Sequence, residues 1–264
     1  MPVYNSEKFV SDAITSVIKQ TYTHWELLVI NDGSTDKSED VINSFNDPRI
    51  RYFNQENLGV SAARNVGLAF MKGDYFCFLD ADDGLTRKSI ETRVQKFLSF
   101  PIINFVDGRI NVWNSSFTEI IQEKPMTFEG SPFNALCQID SKVFFGPTWM
   151  IRRNPSNQYK FIEGLTHGED LLFYMTIAIK GGVYSTVDNV IYNYRSDNQS
   201  AMSNLNGLWE GYKFIYSYMR DNFHLGDKEL VFFKKKIVSI MFKSFVAKGS
   251  FLQALKVLSQ SLKL

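Results

Sequence analysis

The sequence is poor in several residue types, and each shortage removes a class of protein. Only two cysteines occur in 264 residues. Cys77 and Cys137 stand far apart in apolar surroundings without a Cys or His partner at ligand spacing, which argues against a disulfide-stapled fold and against a zinc site. Three histidines with no paired spacing leave a His-based metal centre without ligands. The charge balance is almost even, 29 basic against 28 acidic residues for a net +1, so the basic excess of a nucleic-acid coat is absent and no nucleic-acid partner is expected. No apolar run approaches the roughly 18 residues of a membrane span. The N-terminal Met1-Pro2-Val3-Tyr4-Asn5 shows no basic stretch leading into an apolar one, so no export signal is legible and a reduced, cytoplasmic setting is the expectation. Without such a signal the glycosylation-like triplets Asn114-Ser115-Ser116 and Asn198-Gln199-Ser200 carry no weight. Phosphate-binding P-loops, dinucleotide fingerprints and nucleophile elbows are also missing.

What is present describes a folded enzyme-sized chain. Hydrophobic residues make up 44% and aromatics 15%, and a chain of this length hides enough surface to form a core without staples. The first hundred residues alternate helical and strand periodicity. Ser6 to Lys19 reads as helix, Trp25 to Ile30 as buried strand, Asp36 to Phe45 as helix, Ile50 to Phe53 as strand, Ser61 to Met71 as helix and Tyr75 to Leu79 as strand. Such alternation predicts an α/β sheet of parallel type, whose ligand crevice lies beyond the carboxyl ends of the strands. The two most polar loops, Asn31-Asp32-Gly33-Ser34-Thr35-Asp36 and Asp80-Ala81-Asp82-Asp83, fall at two such ends, so both should face one cleft. Further on, strands are expected at Phe105 to Trp113 and Val187 to Tyr194, and a helix from Glu169 to Ile179. From Leu205 the pattern is that of two or three amphipathic helices.

The acidic loops invite specific chemistry, each against a plainer alternative. Asn31 to Asp36 could simply be a turn and helix cap. Asp80 to Asp83, however, crowds carboxylates whose repulsion calls for a compensating cation, and hard oxygen donors suit Mg²⁺ or Mn²⁺ completed by water and phosphate. The loop is no EF-hand, because Gly84 comes one position too early. Gly59-Val60-Ser61-Ala62-Ala63-Arg64-Asn65 opens a helix and carries an Arg; the alternative is a capped helix with a solvated side chain. His167-Gly168-Glu169-Asp170 puts two carboxylates in a first helical turn, where complementing the helix dipole is the plainer role. Tyr192-Asn193-Tyr194-Arg195, with Ser200 and Ser203 downstream, reads equally as an edge strand and a polar loop.

Taken in order, Met1-Pro2-Val3-Tyr4-Asn5, Gln20-Thr21-Tyr22, the Asp32 loop, Gly59 to Gly67, Asp80 to Asp83, Gly168-Glu169-Asp170 and Tyr194-Arg195 resemble the family-2 glycosyltransferases over about residues 1–200. The resemblance implies a GT-A fold: a Rossmann-like mixed sheet, continuous and flanked by helices. It implies a catalytic domain over 1–204, with a nucleotide-binding half at 1–100 and an acceptor half at 101–204, then a helical extension over 205–264. It places Pro2, Tyr4 and Asp32 at the nucleoside, usually uridine, and Arg64 in the donor pocket. Asp80 and Asp82 become ligands of Mn²⁺ or Mg²⁺ at the donor diphosphate, with Asp82 the more direct one. Asp170 becomes the general base with Glu169 beside it, Arg195 a diphosphate contact and Trp149 an acceptor-side residue. The implied reaction moves a sugar from a UDP-type donor to a saccharide or lipid-linked saccharide hydroxyl, with inversion because one base and one displacement suffice. The pattern departs from the family at one place: Met1 stands where the first strand should end. A metal-dependent nucleotidyltransferase and a non-catalytic scaffold are the competing readings. In the tail, Phe232, Phe233, Ile237, Ile240, Met241, Phe245 and Val246 interleave with lysines from Lys228 onward. This pattern suits either packing on the core or peripheral contact with an anionic membrane at its inner face.

Overall fold

The computed structural model describes residues 1–143, 146–196 and 203–262; the Asn198-Gln199-Ser200 triplet lies outside them. A two-residue strand β1 (Pro2–Val3) leads to helix α1 (Val10–Ile18), whose Val10, Ala13, Ile14 and Val17 are buried at the expected helical spacing. Strand β2 (Leu27–Asp32) is buried along its whole length, as a strand covered on both faces should be. Helix α2 (Ser38–Asn43), strand β3 (Ile50–Gln55) and helix α3 (Val60–Phe70) follow. β1, β2 and β3 form a three-stranded parallel sheet.

The next segment differs from the expected strand. Only β4 (Tyr75–Phe76) pairs, and the chain then leaves the sheet as Cys77 to Ala81 and re-pairs at β5 (Gly84–Leu85). Helix α4 (Ser89–Ser99), strands β6 (Ile103–Trp113) and β7 (Ile120–Lys124), helix α5 (Phe133–Cys137), strand β8 (Met150–Arg152), helix α6 (Glu169–Ala178) and strand β9 (Val183–Arg195) complete this half. The second sheet runs β4-β8-β6-β9-β5, with β7 on β6; β6 and β9 are parallel and the other pairs antiparallel. The described strands therefore make two sheets where one continuous sheet was expected, because β1 pairs with β2 and no strand bridges β1 to β4. An apolar cavity of about 320 Å³ lies at this junction, lined by Met1, Leu28, Ile30, Phe78 and Leu79 among others.

Three helices close the chain: α7 (Leu205–Asn222), α8 (Asp227–Ala247) and α9 (Phe251–Ser261). Phe233, Ile237, Met241 and Phe245 of α8 are buried in one cluster with Trp149, Phe161 and Phe173. Of the apolar stripe foreseen for this helix, these four pack on the protein's own core and Ile240 against it, while Phe232 and Val246 are exposed.

Candidate active site

The first polar loop is held closed by its own side chains. Asn31 Oδ1 accepts from the Ser34 N–H, Asn5 Oδ1 accepts from the Thr35 N–H, and Asp36 accepts from the Glu7 and Ser38 N–H groups. Asp32 is 4% exposed, and its carboxylate takes Gln55 Nε2 at 2.6 Å and the Leu58 and Gly59 N–H groups at 2.9 Å. It thereby ties the end of β2 to the entry of α3. Gln55 escaped sequence reasoning, although parallel pairing of Asp32 with Gln55 at the ends of β2 and β3 is the signal that would have found it. Gly59, with φ 90°, makes the turn that aims these N–H groups at the carboxylate.

Pro2, Tyr4, Asp32, Asp80 and Asp82 line one open cleft of about 480 Å³, so the two acidic loops do face a common space. Tyr4 is half exposed in it. Arg64 of α3, 4% exposed, is bonded to Asp80 of this cleft and itself lines the apolar cavity at the sheet junction. Its guanidinium donates to Asp170 Oδ1 at 2.7 Å and Asp80 Oδ1 at 3.0 Å, and lies 3.6 Å from Glu169 Oε1. Phe161 and Phe78 flank it, the guanidinium carbon lying 5.2 and 5.8 Å from their ring centroids. Three carboxylates therefore share one cation. Burial opposes the Arg64 charge, but attraction to Asp170, Asp80 and Glu169 outweighs it and raises the guanidinium pKa further. Burial pushes the Asp170 carboxyl up to about 7 against the pull of Arg64, and repulsion from Glu169 and Asp80 adds to the rise. Glu169 is raised by burial as well. Gly168, left-handed at φ 80°, starts α6 and turns both carboxylates toward Arg64. Asp170 keeps 21% of its side chain exposed.

The Asp80–Asp83 loop is fixed from below. Tyr192 Oη accepts from the Asp80 N–H at 3.2 Å. Asp83 turns inward, where its Oδ1 accepts from the Arg195 N–H at 2.7 Å; burial and the charges of Asp80 and Asp82 raise it well above the carboxylate range. Asp80 and Asp82 thus remain at the cleft as a pair of hard oxygen donors. Among the described residues no group of three His, Cys, Asp or Glu side chains could hold a metal. Two carboxylates fit an ion that keeps several water ligands and is completed by substrate phosphates.

Two expected ligand contacts are placed elsewhere. Arg195 is 7% exposed at the end of β9, with Nε donating to the Asp82 carbonyl at 2.8 Å and Nη1 to the Ser115 carbonyl at 2.9 Å. Its guanidinium carbon lies 4.7 and 4.2 Å from the ring centroids of Phe9 and Phe117. Instead of reaching out to a diphosphate, it braces the loop that carries Asp82. Trp149 is fully buried, stacked on Tyr174 at 4.4 Å between ring centroids, so its indole supports the core beneath the site and offers no face to an acceptor. Substituting Arg195→Ala should loosen the Asp82 loop. We expect UDP affinity to fall about tenfold or more by calorimetry, the scale of one or two lost charge-assisted hydrogen bonds; unchanged affinity would leave Arg195 with a purely structural part.

Comparison with known proteins gives the family and the fold. The sequence profile of glycosyl transferase family 2 matches residues 1–160. An uncharacterized glycosyltransferase of Rickettsia bellii (strain RML369-C) is 30% identical over 239 residues, covering 85% of this chain and 32% of its own length. The minor teichoic acid biosynthesis protein GgaB of Bacillus subtilis (strain 168) is 30% identical over 218 residues, covering 76% of this chain and 23% of its own length. This chain therefore spans a third or less of either relative. Among solved structures, S. aureus TarS 1-349 in complex with UDP-GlcNAc superposes with a TM-score of 0.71 at 19% identity, covering 98% of this chain and 79% of that one. A mannosyltransferase from Pyrobaculum calidifontis, solved with GDP-Man and Mn²⁺, gives 0.63 at 16% identity, covering 99% of this chain and 73% of that one. The fold is GT-A, and the chain belongs to glycosyl transferase family 2.

Proposed function

We propose that the chain transfers a sugar, hexosyl or N-acetylhexosaminyl, from a UDP-type donor to a hydroxyl of a saccharide or lipid-linked saccharide in envelope polysaccharide synthesis. The observation that carries this is the junction at Arg64, where the carboxylate loop of a nucleotide-sized cleft meets a helix-borne carboxylate of raised pKa. In this reading Pro2, Tyr4 and the Asp32 loop hold the nucleoside. The acceptor oxygen bonds the anomeric carbon while the bond to the diphosphate oxygen breaks, and the acceptor proton passes to the Asp170 carboxylate. One displacement with one base inverts the anomeric centre. A divalent ion, Mn²⁺ or Mg²⁺, held by Asp82 and Asp80 would neutralise the leaving diphosphate. The structures of TarS with UDP-GlcNAc and of the mannosyltransferase with Mn²⁺ support the donor class and the ion. Among the described residues no helix is long and apolar enough to cross a membrane. In the same reading the enzyme works at the cytoplasmic face of the membrane, approached through its C-terminal helices.

Screening UDP-sugars for UDP release, with the product anomer read by NMR, tests the reading; release from none of them, or retention at the anomeric carbon, would overturn it. The ion assignment has its own test. Asp82→Ala should abolish the Mn²⁺-dependent part of UDP binding measured by calorimetry, and full Mn²⁺-dependent affinity in that variant would move the ion elsewhere.

A further inference from the structure

Helix α9 is amphipathic in an inverted sense. It packs Ala254 and Val257 into the core, and Gln260 Oε1 accepts from Trp209 Nε1. Its larger apolar residues, Phe251, Leu252, Leu255, Leu258 and Leu262, are instead 42% to 87% exposed. Their spacing of one, four, seven and eleven residues from Phe251 puts them along one side of the helix. A helix that only stabilised its own fold would bury the large side chains and expose the small ones, so this outward stripe lacks its partner.

The charge of the segment says which partner fits. After Glu229 the sequence has seven lysines and no Asp or Glu, although the whole chain carries a net charge of only +1. Of these, Lys256 is exposed on α9 itself, so a second copy docking symmetrically through this helix would bring like charges together. Anionic lipid headgroups complement the lysines, and the acyl boundary takes the leucines. We infer that the outward face of α9 inserts into the interface of an anionic bilayer while α8 remains committed to the protein core.

The inference rests on the peripheral membrane reading proposed above and narrows it to one face, one that is separable from sugar transfer. The test is flotation of the full chain with phosphatidylglycerol-containing vesicles and with pure phosphatidylcholine vesicles. The protein should float with the anionic vesicles at low salt and be released as salt rises. The variant Leu252→Ser, Leu255→Ser, Leu258→Ser changes only exposed positions; it should keep its melting temperature and UDP affinity yet bind anionic vesicles at least about tenfold more weakly. Charge reversal at Lys235, Lys243 and Lys256, all exposed, should abolish the preference for anionic lipid. If the parent protein floats and the serine variant floats equally, the α9 assignment is wrong although the membrane reading survives. If the parent does not float at low salt, both fail. A dimer by analytical ultracentrifugation that the serine substitutions dissociate, with no vesicle binding, would give the surface to a second copy.

Discussion

Replacing Asp170 by Asn should lower turnover by roughly 10²-fold or more while leaving UDP affinity near its parent value, because the base is lost and the nucleotide cleft is not. The side chain keeps its shape, and its amide oxygen can still accept from Arg64. What disappears is the group that takes the acceptor proton. The pH profile adds a second reading. With the Asp170 carboxyl near 7, the proton it holds below that value blocks the base, so kcat should rise as pH increases through neutrality in the parent protein. In the Asn variant the residual rate should lose this rise. Stability should move the other way: a carboxyl raised in the folded state binds more protons there than in the unfolded chain, so its ionised form is penalised as pH rises. Asp170→Asn should therefore be at least as stable as the parent at pH 8, which separates a lost base from a damaged fold. Near-normal turnover in this variant, with a collapse in Glu169→Gln, would make Glu169 the base.

The parts of this site that could be read in the sequence are those that lie at the ends of elements. Asp32 closes the apolar strand β2, and Asp80 ends the apolar run Tyr75 to Leu79, of which only Tyr75–Phe76 pairs; the alternation of strand and helix puts such ends on one edge of an α/β fold, where Tyr4, Asp32, Asp80 and Asp82 share a cleft. The Arg64–Asp170 contact spans 106 residues, and nothing in either local pattern encodes it. Arg195 and Trp149 show the complementary failure. An arginine at a strand end looks the same in a sequence whether it meets substrate or is flanked by Phe9 and Phe117 and bonded to two backbone carbonyls. The local sequence around a tryptophan after Gly-Pro-Thr does not reveal its stacking on Tyr174. Burial of long side chains is set by neighbours distant in sequence. For the same reason periodicity found apolar stripes throughout the tail but could not say that Phe233, Ile237, Met241 and Phe245 of α8 would be covered and the large residues of α9 left open.

The Arg64 guanidinium is where fold and chemistry are least separable, and substituting it by Met should have the largest effect on stability. The residue is 4% exposed and is the cation shared by Asp80, Glu169 and Asp170. Methionine fills much of the space between Phe78 and Phe161, so the loss is mainly of charge and hydrogen bonds. Removing one partner from a buried ionic cluster leaves the others uncompensated, at roughly 3–5 kcal/mol in denaturant unfolding. The sign with pH is fixed. Without the cation, burial and mutual repulsion raise the Asp170 and Glu169 carboxyls further in the folded state, so the variant should lose stability more steeply than the parent as pH rises from acid toward neutral, and regain part of it on acidification. Adding Asp170→Asn to Arg64→Met removes one of the stranded charges and should restore a measurable fraction of the loss. This is a coupling that independent sites would not show. If instead the double variant is destabilised by the plain sum of the two single effects at every pH, the cluster is held by packing alone, and the electrostatic link between the donor loop and the base fails with it.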